Sequence, residues 1–254
     1  MQITRRTCLH MATASVVASW VPPVFGGEDK RADLLHVAMI SGSAEYHSDE
    51  SMTAFAGELE KNYRIRCSKI FGKDGAGDPL PGLEALDTAD LVFTFTRRLK
   101  PPKEQLERFK KYCESGKPLI GVRTASHGFQ DWLEFDREVL GGNYKNHYNN
   151  DGSITQVTLA EKSVKHPILS GVEPFTSVST LYRNTGMADD NELLLTGTIP
   201  GHTEPLAWTR RHQGGRVFYT SLGSPEDFKN EMFHKMLVNA LFWATQRNAV
   251  DLKR

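Results

Sequence analysis

Cysteine is scarce: this chain of 254 residues has three, Cys8, Cys67 and Cys113. Cys67 sits in a strand-like run and Cys113 at a helix-like end, and a pair of cysteines does not make a disulfide framework. Both read as buried thiols. An excess of either charge is also missing. Lysine and arginine number 31 against 31 acidic residues, with no long basic block, which argues against a nucleic-acid partner. No apolar run reaches the roughly 20 residues of a transmembrane helix, so no stable membrane span is expected. The patterns G-x-S-x-G, H-x-x-x-H and C-x-x-C do not occur, which removes the local signatures of a serine hydrolase and of a zinc site. With no repeat, low-complexity tract or dividing linker, residues 32–248 read as one domain.

The first residues stand apart. Thr4-Arg5-Arg6-Thr7-Cys8-Leu9 precedes a mostly apolar stretch, Met11 to Phe25, followed by Gly26-Gly27. A basic start, a short apolar run and a small-residue end make residues 1–26 a secretory signal. The adjacent arginines point to the twin-arginine route and a periplasmic destination. Cys8 and His10 stand where that route often has a bulky apolar residue and a lysine. The run is about 15 residues and contains Pro22-Pro23, too short and broken to span a bilayer. Loss of residues 1–26 removes Arg5 and Arg6 and leaves a slightly acidic remainder.

What is present is an alternation of strand and helix patterns. Leu34 to Ile40 is an apolar strand followed by a polar loop from Ser41 to His47. Met52, Phe55 and Leu59 recur at helical spacing behind the capping residues Ser48 and Asp49. Arg64 to Phe71 alternates like a strand, Leu83 and Leu86 mark a short helix, and Asp90 to Phe95 is a third strand ending in Thr96-Arg97-Arg98. Pro101-Pro102 opens a helix over Lys103–Glu114, which Gly116 closes. A fourth strand, Leu119 to Val122, ends in Arg123-Thr124-Ala125-Ser126-His127. Asp136 to Leu140 ends a helix, and residues 141–152 are a polar loop. Strands are expected at Ile154–Leu159, Glu192–Thr196, Pro205–Trp208 and Arg216–Thr220, the last pair joined as a hairpin through Gly214-Gly215. A final helix runs from Pro225 to Thr245. Strands separated by helices imply an α/β fold with a mostly parallel central sheet.

Ligands in open α/β sheets bind beyond the carboxyl ends of the strands. That edge collects Ser41, Gly42, Glu45 and His47 after the first strand and Arg97 and Arg98 after the third. Arg123, Thr124 and His127 follow the fourth, and the last strand adds Ser221 to Asp227. Arginine forks bind vicinal hydroxyls, carboxylates or phosphates, so Arg97, Arg98 and Arg123 are candidate ligand contacts with Thr124, Ser221 and Glu226. The competing reading pairs the arginines with Glu45, Glu226 or Asp227 to satisfy charge. Tyr46, Phe129 and Trp132 are candidate apolar faces for a sugar ring, whereas Tyr182, Trp208 and Trp243 read as core. Ser126 reads as a helix cap rather than a nucleophile. A metal set could be drawn from Glu45, His47, His127, His147 and His202, but no ligand spacing supports it, and no metal or other cofactor is assigned.

Several segments together resemble the ThuA-like family, named for trehalose utilisation. They are residues 116–129 (Gly-Lys-Pro-Leu-Ile-Gly-Val-Arg-Thr-Ala-Ser-His-Gly-Phe), 134–144, 166–172, 204–209, 215–223 and 237–244. The resemblance implies the fold of class I glutamine amidotransferases, a flavodoxin-like three-layer α/β/α sandwich. It also implies a link to disaccharides and their keto forms. In the amidotransferases a cysteine on the turn after the central strand attacks the amide, activated by a histidine from a later loop. Here Arg123 holds the cysteine's place and Ser224 the place where ThuA-like relatives often have histidine, so glutamine hydrolysis is not expected. His127, with Glu45 or His47, would supply acid–base chemistry on a keto-sugar, which needs a base of pKa near the working pH. Two classes follow. One is an enzyme that isomerises or hydrolyses a disaccharide or keto-sugar derivative, favoured slightly by the titratable rim. The other is a non-catalytic carbohydrate-binding or accessory module.

Overall fold

The structure is a computed structural model that describes residues 34–73, 79–148 and 152–249. The export segment expected at residues 1–26 lies outside the described residues. Alternating apolar residues build the first strand, β1 (Leu35–Gly42), which is buried along its whole length. Leu35, Val37 and Met39 enter one core and Ala38 and Ile40 the other, so the sheet is covered on both faces. After α1 (Ser48–Asn62) come β2 (Ile65–Phe71), β3 (Leu91–Thr96), α2 (Lys103–Glu114) and β4 (Leu119–Val122). The short helix expected at Leu83 and Leu86 is a 3-10 turn, Leu83–Asp87.

The second half contains β5 (Tyr144–His147), β6 (Thr155–Leu159), β7 (Phe175–Ser177) and β8 (Tyr182–Asn184). It ends with β9 (Glu192–Ile199), β10 (His202–His212), β11 (Gly215–Thr220) and α3 (Glu231–Thr245). The main sheet has nine strands in the order β2-β1-β3-β4-β11-β10-β9-β6-β7. Pairing is parallel from β2 through β11 and antiparallel from β11 through β7. The sheet is thus mixed rather than mostly parallel. The reason is local: β10 and β11 are joined by a tight turn at Gln213 and Gly214, which forces antiparallel pairing.

The apolar stripe of α3, including Phe233, Met236, Leu237, Ala240 and Leu241, packs with α1 against one face. On the other face lie α2 and the segment from Phe129 to Leu140. Close approach there depends on Gly121, where a Cβ would meet Leu140 at 2.8 Å and the Tyr219 ring at 3.2 Å. Residues Asp136–Leu140 form one π-helical turn. The final helix begins later than expected, at Glu231, because Asn230 caps it by accepting the N–H groups of Met232 and Phe233. A separate two-stranded ribbon pairs β5 with β8.

Candidate functional site

The parallel strands deliver their endings to one edge, and the backbone binds those endings together. Arg97 N–H donates to Gly42 O at 2.7 Å, and Arg98 N–H to His127 O at 2.8 Å. Of the five described non-glycine residues with left-handed φ, three lie here: His47 (47°), Arg98 (48°) and Arg123 (51°). Such backbone costs of order 1 kcal/mol or more per residue and concentrates at functional sites.

Arg123 begins the turn after β4 and points inward, only 1% exposed. Its Nη1 donates to Thr180 O (2.9 Å) and Ser221 O (2.6 Å), and its Nη2 to Thr180 Oγ1 (2.6 Å) and Tyr46 Oη (3.3 Å). The guanidinium carbon lies 4.1 Å from the Tyr182 ring centre and 4.9 Å from that of Tyr46. Among the described residues no carboxylate bonds to it, and its buried Nε has no hydrogen-bond partner. The expected ligand fork is therefore occupied by the protein itself. The charge-pairing reading does not describe it.

Thr124 and Ser221 are buried as well. Thr124 donates to Ser43 Oγ at 3.1 Å, and the Ser221 carbonyl serves Arg123. Arg97 does pair with a carboxylate, Glu45, at 2.8 Å. Arg98 is exposed beside it. The apolar faces are redistributed: Phe129 and Trp132 pack with Phe109 and Phe135 in the core under α2, away from this edge. Tyr46 stays at the rim, joined by Tyr144, which sequence reasoning did not select. Tyr144 stacks on the His127 ring at 4.7 Å and lies 4.5 Å from Tyr182. Tyr144 was within reach, since it closes the 134–144 segment. Tyr182, read from the sequence as core, is buried as expected, and its ring faces the Arg123 guanidinium from a three-residue strand.

His127 is part-buried, with Nδ1 3.1 Å from Ser126 Oγ. Burial first, then the charges of Arg98, Arg97 and Arg123, push its pKa down to about 3. The imidazole is neutral at physiological pH and is a much weaker base than the acid–base expectation requires. Burial raises Tyr144 and Tyr182 above the ordinary phenol range, so both are neutral donors.

The turn after β11 is pinned by Asp227, whose Oδ2 accepts Ser179 Oγ (2.6 Å) and the N–H groups of Gly223 (2.8 Å) and Ser224 (2.9 Å). That turn and α1 enclose a groove of about 760 Å³. His47 and Glu226 both line it, whereas Glu45, Arg97, Arg123 and His127 do not. His147 Nδ1 meets Tyr148 O at 2.8 Å, and His202 stacks on Tyr148. Among the described residues no group of three or more His, Cys, Asp or Glu is placed to hold a metal ion. Cys67 and Cys113 are free, part-buried and buried respectively, and burial raises the Cys67 thiol to about 12 and the Cys113 thiol above the ordinary range. Neither serves as a thiolate nucleophile. No described helix is long and apolar enough to cross a membrane.

These features define a mixed α/β protein with a polar, tyrosine-rich rim at the carboxyl edge of its parallel strands. The family model for ThuA, trehalose utilisation, matches residues 37–244, and the chain belongs to that family. Among solved structures it is similar to a ThuA-like protein from Parabacteroides merdae, at 17% identity and TM-score 0.63, covering 84% of this chain and 90% of that one. A ThuA-like protein from Bacteroides uniformis gives 17% identity and TM-score 0.63, covering 87% and 95%. A β-galactosidase from Bacillus circulans gives 12% identity and TM-score 0.58, covering 84% of this chain but 31% of that one. At such identities the likeness is one of fold. No curated protein matches the chain.

Proposed function

We propose that this ThuA-family protein recognises a disaccharide or keto-sugar derivative in the groove beside His47. The observation that carries the reading is the groove itself: about 760 Å³, between α1 and the segment from Pro225 to His234, with Phe55 and Phe228 among its lining and carboxylates around them. Sites for small ligands run from about 300 to 1,000 Å³ and combine apolar faces with a few polar groups. Recognition without chemistry is the better supported form, because both terminal nitrogens of Arg123 are taken up by protein oxygens and His127 is held neutral.

A second reading, isomerisation or hydrolysis of the same sugar, is favoured by His47. It is exposed, sits on left-handed backbone and reaches Glu50 at 3.3 Å in the groove wall. Glutamine amidotransferase activity is outside both readings, since Arg123 occupies the nucleophile's turn. The parallel half, in the order β2-β1-β3-β4-β11 with helices on both faces, has the 2-1-3-4-5 strand order of a flavodoxin-like sandwich. Export by the twin-arginine route, through Arg5 and Arg6, belongs to the same proposal. The test is incubation with trehalose-type disaccharides and their 3-keto forms, following melting temperature and product together. A saturable upward shift without product is the expected result, and product formation selects the enzymatic reading. Absence of both removes sugar recognition.

A further inference from the structure

We infer that the rim takes a small hydroxylated carboxylate, its oxyanion on Arg98 beside His127 and Tyr144 and a hydroxyl on the carboxamide of Asn184. None of these residues lines the groove beside His47, so the site is a separate one and does not depend on the sugar reading. Charge sets the class of ligand. Arg97 and Arg98 follow β3 and Arg123 follows β4. Arg97 takes Glu45 at 2.8 Å, and the terminal nitrogens of Arg123 are taken up by protein oxygens. Arg98 is left over. It is exposed, held on left-handed backbone by its N–H bond to His127 O, and without a carboxylate partner among the described residues. The His127 ring lies in this field: burial, then the charges of Arg98, Arg97 and Arg123, with His147 beyond them, push its pKa down to about 3. Tyr144 stacks on that ring, and burial keeps its phenol protonated although Arg123 and Arg98 pull the other way. A planar guanidinium fork beside neutral polar groups is a receptor for a carboxylate.

An independent observation concerns Asn184. It lies directly opposite Tyr144 in the β5–β8 ribbon and on the same face of β8 as Tyr182, whose ring is 4.5 Å from that of Tyr144. Asn184 is only 5% exposed, yet neither its amide nitrogen nor its amide oxygen has a hydrogen-bond partner among the described residues. The Nε of Arg123, on the other side of Tyr182, is unpaired as well. Buried polar atoms are nearly always paired, so their gathering around one small ribbon points to a polar guest. A carboxamide presents a donor and an acceptor side by side, which matches a hydroxyl, itself both acceptor and donor. Charge at Arg98 and a hydroxyl at Asn184 together describe a hydroxy acid, of which a sugar acid is the extended form.

The experiment follows the His127 ring by nitrogen NMR on the full chain, with the signal assigned by its loss in His127→Gln. Its pKa is measured with gluconate, glucose, propionate and inorganic phosphate in turn. Gluconate should raise it saturably by about one pH unit or more, because an opposite charge a few ångströms away favours the charged ring. Glucose, which has the hydroxyls without the charge, should leave it unmoved. Propionate and phosphate should need about tenfold or more higher concentration for the same effect. Arg98→Gln should weaken gluconate about tenfold or more, and Asn184→Ala should bring gluconate down to the level of propionate. Arg98 is exposed and Asn184 has no side-chain bond to lose, and melting temperature checks that both variants fold. Phosphate or propionate acting as strongly as gluconate would overturn the hydroxy acid, and a gluconate effect undiminished in either variant would overturn the assigned contacts. A His127 ring unmoved by all four probes would overturn the site altogether. None of these outcomes bears on sugar binding in the groove, which stands or falls on its own test.

Discussion

Arg123 is a buried guanidinium whose charge is spread over two carbonyls, two hydroxyls and two tyrosine rings instead of a carboxylate. A lysine cannot reproduce that planar fork. Arg123→Lys should cost about 2–4 kcal/mol, because Thr180 and Ser221 would be left with unpaired buried oxygens. An unchanged denaturation midpoint would show that the fork does not hold the edge together. Asp136 offers a second test. Its Oδ2 accepts Tyr144 N–H at 2.8 Å while its buried Oδ1 has no partner, and burial raises its pKa from 3.8 to about 7. The folded state then holds a proton that the unfolded chain has released. Stability is greatest below the unfolded pKa, falls as pH rises from about 4 to about 7, and is flat above that. A tenfold difference in proton affinity between the two states corresponds to about 1.4 kcal/mol. Asp136→Asn should flatten this slope, read as melting temperature across that range, and an undiminished slope would assign it elsewhere. The sequence located Arg123 correctly at a strand end. What it did not carry was the direction of the side chain, which depends on Thr180, Tyr182 and Ser221, residues far away along the chain.

At the scale of elements, the Ser221–Asp227 turn is held by one carboxylate that reaches across to Ser179, just ahead of β8. Asp227→Ala takes the acceptor from the buried Gly223 N–H and the Ser179 hydroxyl and leaves the Ser224 N–H only Ser179 Oγ at 3.3 Å, at a cost of roughly 2–3 kcal/mol in total. Hydrogen exchange should quicken over residues 177–184 and 221–230 together, whereas acceleration confined to one of them would break the supposed link. Long, strongly patterned elements were legible: α2 runs from Lys103 to Glu114 as its capping residues require, and β4 is the apolar run from Leu119 to Val122. The strands β5, β7 and β8 have four, three and three residues, too few to display alternation. Their existence is decided by partners distant in sequence. For the same reason Phe129 and Trp132, which follow the rim turn in sequence, could be placed on the wrong side of it.

For the molecule as a whole, the proposed route of export makes one demand on the sequence. Replacing Arg5 and Arg6 together by lysine should leave unprocessed protein inside the cell, and normal export of that variant would remove the twin-arginine assignment. The order of the sheet has a consequence of a different kind. β11 is inserted between β4 and β10, and its register joins Val217 to Leu119 and Thr220 to Val122. Until residue 220 has left the ribosome, the growing chain carries β4 with one bare flank and no means of closing it. Completion therefore waits until most of the polypeptide has been made, and pairing over so long a span is slow. A nascent chain with an uncovered strand is open to chaperones and to its own neighbours. The late hairpin is thus the keystone of the sheet, and its arrival marks the moment at which the two halves become one body.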